Sequence, residues 1–133
     1  MTTTKTAVQK VATVIVPVNA QDDMIAFYCD KLGFTKRVDI PFGDGHRWVE
    51  VVPGEAETTI ALAPPGPETD IGGRSTGISL YTADIDAYHA QLKADGVDVD
   101  DEVSRMGGPV PPLFWLRDPE ANTLMVVGDA DQS

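Results

Sequence analysis

The chain is short of several things, and each shortage removes a class of function. It has one cysteine, Cys29, so no internal disulfide can form, which suits a reducing cytoplasm. Phe27, Tyr28 and Leu32 around it point to a half-buried structural thiol on a helix rather than a nucleophile. There are two histidines, His46 and His89, too few for a multi-histidine metal site, and neither suggests a nucleophilic triad. No serine lies in a nucleophile-elbow pattern and no glycine cluster matches a phosphate loop. No window holds 18 apolar residues, which excludes a membrane-spanning helix, and MTTTKTAVQK at the start lacks the apolar core of a secretion signal. Basic residues are scarce: 10 Lys and Arg against 21 Asp and Glu leave a net charge of -11. Nucleic acid and anionic membrane surfaces, which are bound by clustered Lys and Arg, are therefore excluded as partners. A neutral or cationic small molecule remains open.

What is present is ordinary in amount and informative in order. With 133 residues, 42% hydrophobic and 23% charged, the chain has the length and composition of one soluble domain. VATVIVPV (11–18) is short and β-branched and reads as a strand. Asn19 offers a helix cap, and Met24, Phe27, Tyr28 and Leu32 recur at helical spacing over 21–32, with Gly33 as terminator. Strands follow at 34–41, 45–52 and 58–63, separated by the turn-forming FGDG and PGEAE.

The Pro- and Gly-rich stretch PPGPETDIGGRS (64–75) reads as a linker, after which the order repeats. GISLYT (77–82) is a strand, IDAYHAQLKADG (85–96) a helix closed by Gly96, and VDVDDEV, PLFWLRD and NTLMVV are three more strands. Gly33 and Gly96 thus close equivalent helices. An internal repeat of βαβββ modules, 11–63 and 76–128, predicts an α+β fold of two curved mixed sheets, each with a helix on its convex side and a concave face free for a ligand. A ferredoxin-like sandwich would need two helices for every four strands; each half here has one.

DMIAFYCDKLGF (23–34) resembles the helix-and-turn signature of the vicinal oxygen chelate superfamily, which includes glyoxalases, bleomycin-resistance proteins and extradiol dioxygenases. TADIDAYHAQLKADGV (82–97) and DPEANTLMVV (118–127) resemble the second helix and the DP-x-GN hairpin of that family. The resemblance covers 11–128 in the expected order. In the metal-using branches it implies ligands, commonly His, Glu or Gln, at positions near Thr13, Ala61, Gly77 and Met125. Ala, Gly and Met supply no hard donor and Thr a poor one, so the usual metal site is expected to be missing, with no cofactor.

Strand alternation gives a separate handle on the site. Val49 and Val51 share a face with Arg47, while His46, Trp48 and Glu50 share the other. Thr59 and Ala61 alternate with Ile60 and Leu62, Ser79 and Tyr81 with Ile78 and Leu80, and Met125 with Leu124 and Val126. The aliphatic set is expected under the helices. The concave lining is then Thr13, Ile15, His46, Trp48, Glu50, Thr59, Ala61, Ser79, Tyr81, Trp115 and Met125. Two tryptophans beside small residues suit a flat apolar or aromatic ligand, stacked on Trp48 and Trp115 and oriented by Tyr81, Glu50 and Arg47. His46 and Glu50, four apart on one strand, lie about 13 Å apart and cannot share a metal from that strand.

His46, after a turn, is expected to be exposed, and His89 to lie on the surface. The acidic run from Asp95 to Glu102 reads as a solvated edge strand, and MGGPVPPLF (106–114) as a loop at a pocket mouth or a connector. Three readings compete. The bleomycin-resistance-like branch implies a metal-free homodimer that sequesters a natural product in an aromatic cleft between subunits. The glyoxalase and dioxygenase branches imply an enzyme with an atypical site; apart from them, the concave residues offer metal-independent acid–base chemistry with Glu50 and Tyr81, and a third class is a degenerate relative that acts only through protein contacts.

Overall fold

A computed structural model describes residues 6–41, 43, 45–66 and 72–130. Parts of two expected turns, Phe42 and Asp44 of FGDG and 67–71 of the linker, lie outside the described residues, as do 1–5 of the leading segment.

The β-branched run forms β1 (Thr13–Pro17), followed by α1 (Gln21–Ala26), a π-helical turn (Phe27–Lys31), β2 (Phe34–Pro41), β3 (Arg47–Pro53) and β4 (Thr59–Ala63). The second module runs β5 (Ser75–Tyr81), α2 (Ile85–Ala94), β6 (Asp98–Val99), β7 (Leu113–Arg117) and β8 (Thr123–Val127). The first sheet has the order β1-β4-β3-β2 and the second β5-β8-β7-β6. In each, the first strand pairs in parallel with the last and the remaining neighbours are antiparallel. The expected α+β fold of two βαβββ modules is present.

The first helix differs from the single α-helix expected over 21–32. Its second half widens to π geometry, with the Leu32 N–H donating to Phe27 O (3.2 Å). The wider turn lets adjacent Phe27 and Tyr28 both enter the core with Met24 and Leu32. Gly33 and Gly96 end the two helical segments with φ of 85° and 79°, a conformation that costs an L side chain and not glycine.

Asn19 is not the cap. Ala20 holds that position without a side-chain acceptor, and the amides are met from the other module instead. The Asn19 N–H donates to Glu120 Oε1 (2.9 Å) and the Ala20 N–H to Glu120 Oε2 (2.9 Å).

One hydrophobic cluster serves both modules. Val16, Val49, Val51, Ile60 and Leu62 of the first sheet join Phe114, Leu116, Leu124 and Val126 of the second, with Met24, Tyr28, Ile85 and Leu92 from the helical segments. The aliphatic set therefore packs inward as alternation required. His89 is buried with it rather than on the surface: its Nε2 lies 2.7 Å from Asp100 O and its ring meets Phe114 edge-on at 4.9 Å. The α2 face that carries Ile85, His89 and Leu92 is the inward one, at helical spacing. Among the described residues no helix is long and apolar enough to cross a membrane.

The acidic run contributes β6 at the edge of the second sheet, where Arg117 takes Asp98 (3.0 Å) and Asp100 (2.9 Å). This pairing holds the Asp98 carboxyl below its ordinary range, so these two acids are partnered rather than merely solvated. Ser104 and Leu113 exchange backbone hydrogen bonds (2.7 and 3.1 Å) and close the proline-rich loop between them.

Candidate functional site

Register brings the expected lining of the first sheet together on the face opposite the core. Thr13 lies beside Thr59, Ile15 beside Ala61, Ala61 beside Glu50, Glu50 beside Val38, and Trp48 beside Ile40. Four of these side chains form a continuous polar chain. The Trp48 Nε1–H donates to Glu50 Oε2 (2.7 Å), the Thr59 hydroxyl donates to Glu50 Oε1 (2.8 Å), and the hydroxyls of Thr59 and Thr13 lie 2.9 Å apart. Thr59 is buried, while Thr13, Trp48 and Glu50 are half-buried. Around them Ile15 and Ile40 are 57% and 53% exposed, so the chain lies in an open apolar surface.

On the second sheet, Ser79, Met125 and Trp115 are register neighbours, again on the face away from the core. Trp115 is 36% and Tyr81 61% exposed, and the Tyr81 hydroxyl donates to the Asp129 carboxylate (2.9 Å). Each sheet thus presents one tryptophan on its open face.

Other expected site residues lie apart from these groups. Arg47 turns to the opposite side of β3. Its Nη1 meets Asp22 Oδ1 at 2.7 Å and its Nε meets Asp39 Oδ1 at 2.9 Å, and its backbone N–H donates to Gln21. The Arg47 hydrogen bond, with that of Lys36, pulls Asp39 down to about 2. His46 is exposed, just ahead of β3. Cys29 is half-buried, and burial, with Asp30 adding to it, raises its thiol above the ordinary value, which disfavours the thiolate.

The four positions that correspond to ligands in the metal-using branches carry nothing competent. Thr13 is engaged with Thr59, Ala61 is buried between Ile15 and Glu50, Gly77 has no side chain, and Met125 lies between Ser79 and Trp115. Among the described residues there is no group of three or more His, Cys, Asp or Glu able to hold a metal ion. The metal implied by the family's metal-using branches therefore does not fit this residue set.

A groove lies elsewhere, at the seam of the modules. Phe34, Pro53, Leu80, Tyr81 and Tyr88 line it, and burial pushes Tyr88, whose hydroxyl donates to Leu32 O (2.9 Å), up to about 12.

Sequence reading missed the junction between the modules. The Tyr28 hydroxyl donates to Asp118 Oδ2 (2.9 Å), and the same carboxylate accepts from the Glu120 and Asn122 N–H groups and from Asn122 Nδ2. Burial, and then the Asp118 charge, raise Tyr28 far above the ordinary tyrosine value. The signal in the sequence was the DPEAN turn itself, whose Asp can accept from its own loop.

With this geometry the comparisons with known proteins agree. A profile of the Glyoxalase/Bleomycin resistance protein/Dioxygenase superfamily matches residues 10–126. The crystal structure of TnmS3, an antibiotic binding protein from Streptomyces sp. CB03234, is 30% identical with a TM-score of 0.82, and the match covers 94% of this chain and 99% of that one. A member of the same superfamily from Sphaerobacter thermophilus DSM 20745 is 32% identical with a TM-score of 0.84, over 92% of this chain and 98% of that one. YurT of Bacillus subtilis (strain 168) is 30% identical over 114 residues, 79% of this chain and 89% of that protein.

Proposed function

This chain belongs to the Glyoxalase/Bleomycin resistance protein/Dioxygenase superfamily, and we propose that it is a metal-free binding protein that sequesters an apolar or aromatic small molecule, such as an antibiotic, without turning it over. The observation that carries this reading is the Trp48–Glu50–Thr59–Thr13 chain on the open face of the first sheet. Its hydrogen bonds hold the Trp48 indole in one orientation, so stacking on it costs little further ordering. Trp115, Met125 and Tyr81 form the corresponding aromatic face of the second sheet. The antibiotic-binding TnmS3, similar over nearly the whole chain, supports the same class of ligand.

A lyase or dioxygenase reading would need hard metal ligands that Ala61, Gly77 and Met125 do not supply. The expected acid–base pair is not brought together: Glu50 is held by Trp48 and Thr59 on the first sheet, while the Tyr81 hydroxyl donates to Asp129 on the second.

In this proposal 11–63 and 76–128 act as one domain, and a second copy completes the cleft in a cytoplasmic homodimer. Exposed Ile15, Ile40, Tyr81 and Trp115 on the open faces support pairing, because large apolar side chains left open on a sheet face are a common mark of an interaction surface. The test is tryptophan quenching by a panel of aromatic natural products, followed by recovery of the ligand. A quencher recovered unchanged, with affinity weakened about tenfold by Trp48→Ala or Trp115→Ala, is expected. Chemically altered ligand, or stoichiometric metal in the purified protein, would overturn the reading.

A further inference from the structure

The polar chain on the first sheet has a direction, and the direction restricts what can bind. Thr59 has a single hydroxyl proton, and it is donated to Glu50 Oε1. The Thr13–Thr59 contact must then run from the Thr13 hydroxyl to the Thr59 oxygen. The indole N–H of Trp48 is also spent on Glu50. All three side-chain donors of the cluster are consumed internally. What remains for a ligand is acceptor capacity alone: unused lone pairs on the Glu50 carboxylate and on Thr13 Oγ1.

Glu50 also differs from the ion-paired acids in what balances its charge. Asp22, Asp39, Asp86, Asp98 and Asp100 each meet an arginine. Glu50 meets two neutral donors, and no ion pair to it occurs among the described residues. It stands half-buried beside Ile40, Val38, Ala61 and the Trp48 ring, where a charge is poorly screened. Arg47, next to Trp48 in sequence, is held on the other side of the sheet by Asp22 and Asp39 and cannot neutralise it.

Resting on the reading of this face as a ligand surface, we infer that the ligand is cationic: an aromatic body carrying a protonated amine or ring nitrogen, with its charged N–H groups on Glu50 and the ring on Trp48. Cationic N–H groups supply the donors that the cluster lacks and the charge that Glu50 lacks, and the indole face adds a cation–π attraction. Carboxylate- or sulfonate-bearing ligands meet only lone pairs there and are rejected.

The test compares three planar probes of similar size by quenching and by calorimetry: proflavine (cationic), acridone (neutral) and an anthraquinone sulfonate (anionic). The wild-type chain is expected to bind proflavine at least about tenfold more tightly than acridone, the anion most weakly, with the preference falling as salt rises. Glu50→Gln keeps the shape and removes the charge, and it should bring proflavine and acridone to within about twofold. Glu57→Gln, an equal loss of charge in the exposed β3–β4 turn, should leave the preference intact, which separates Glu50 from the general field of an acidic protein. Equal binding of all three probes, or a preference unmoved by Glu50→Gln, overturns the cation assignment and leaves the ligand surface standing. Failure of every probe to bind overturns both.

Discussion

At the scale of single residues, the most exposed conflict between local chemistry and fold is Ala121. It has φ of 64° in the turn between β7 and β8, at the position where the resembling family pattern DP-x-GN places glycine. A Cβ in the left-handed region costs roughly 1–2 kcal/mol, part of which the extra backbone freedom of glycine in the unfolded chain would take back. Ala121→Gly is therefore expected to stabilise the protein by up to about 1 kcal/mol, read as a rise in the urea midpoint at constant slope. A drop in midpoint would show that the turn does not need the left-handed conformation. The same turn shows why the alanine is tolerated. The Asp118 carboxylate accepts from the Glu120 and Asn122 amides, and the Ala121 N–H donates to Asp118 O (2.8 Å), so neighbouring bonds hold the conformation that Ala121 itself disfavours.

At the scale of elements, α1 shows what a short helix borrows. Six α-helical residues with an alanine at the N-cap are a poor autonomous helix, and the first amides would be unsatisfied without help. Glu120, about a hundred residues away in sequence, accepts from Asn19 and Ala20 and places negative charge at the positive end of the helix. Glu120→Ala is expected to cost about 1 kcal/mol, the usual value of a lost cap, and Glu120→Gln less because one acceptor oxygen remains. Hydrogen exchange is the sharper measurement: amides of α1 should open faster in Glu120→Ala, while those of α2 stay unchanged. α2 provides the internal contrast, since Asp84 caps it locally through Ala87 N–H (3.1 Å), a contact between near neighbours in the chain.

At the scale of the whole molecule, two repeated modules share a core and a buried hydrogen bond, and they are expected to unfold as one unit. The Tyr28–Asp118 pair ties the π-helical turn of the first module to the last hairpin of the second. Tyr28→Phe removes a donor to a buried carboxylate and is expected to cost about 2 kcal/mol. Denaturation of the parent should show a single transition: variants retaining only Trp48 or only Trp115 report on different modules and should give the same midpoint. Two separated midpoints would show that the halves unfold independently.

Periodicity in the sequence was sufficient for the succession of elements along the chain, the glycines that end the two helical segments, the inward aliphatic rows and the face shared by Trp48, Glu50, Thr59 and Thr13. Side-chain alternation with period two and helical spacing are local consequences of backbone geometry, so they are written in the chain itself. The shortage of metal ligands was equally plain, because a residue without a donor atom lacks one in any fold. Only the tertiary structure decided which partner each polar group takes. It replaced Asn19 by Glu120 as the α1 cap, buried His89 against Asp100 and Phe114, committed Arg47 to Asp22 and Asp39, and left Glu50 with two neutral donors. Such choices join residues far apart in sequence or compete among several nearby acceptors. They are settled by distances of about 3 Å that exist only once both modules have packed.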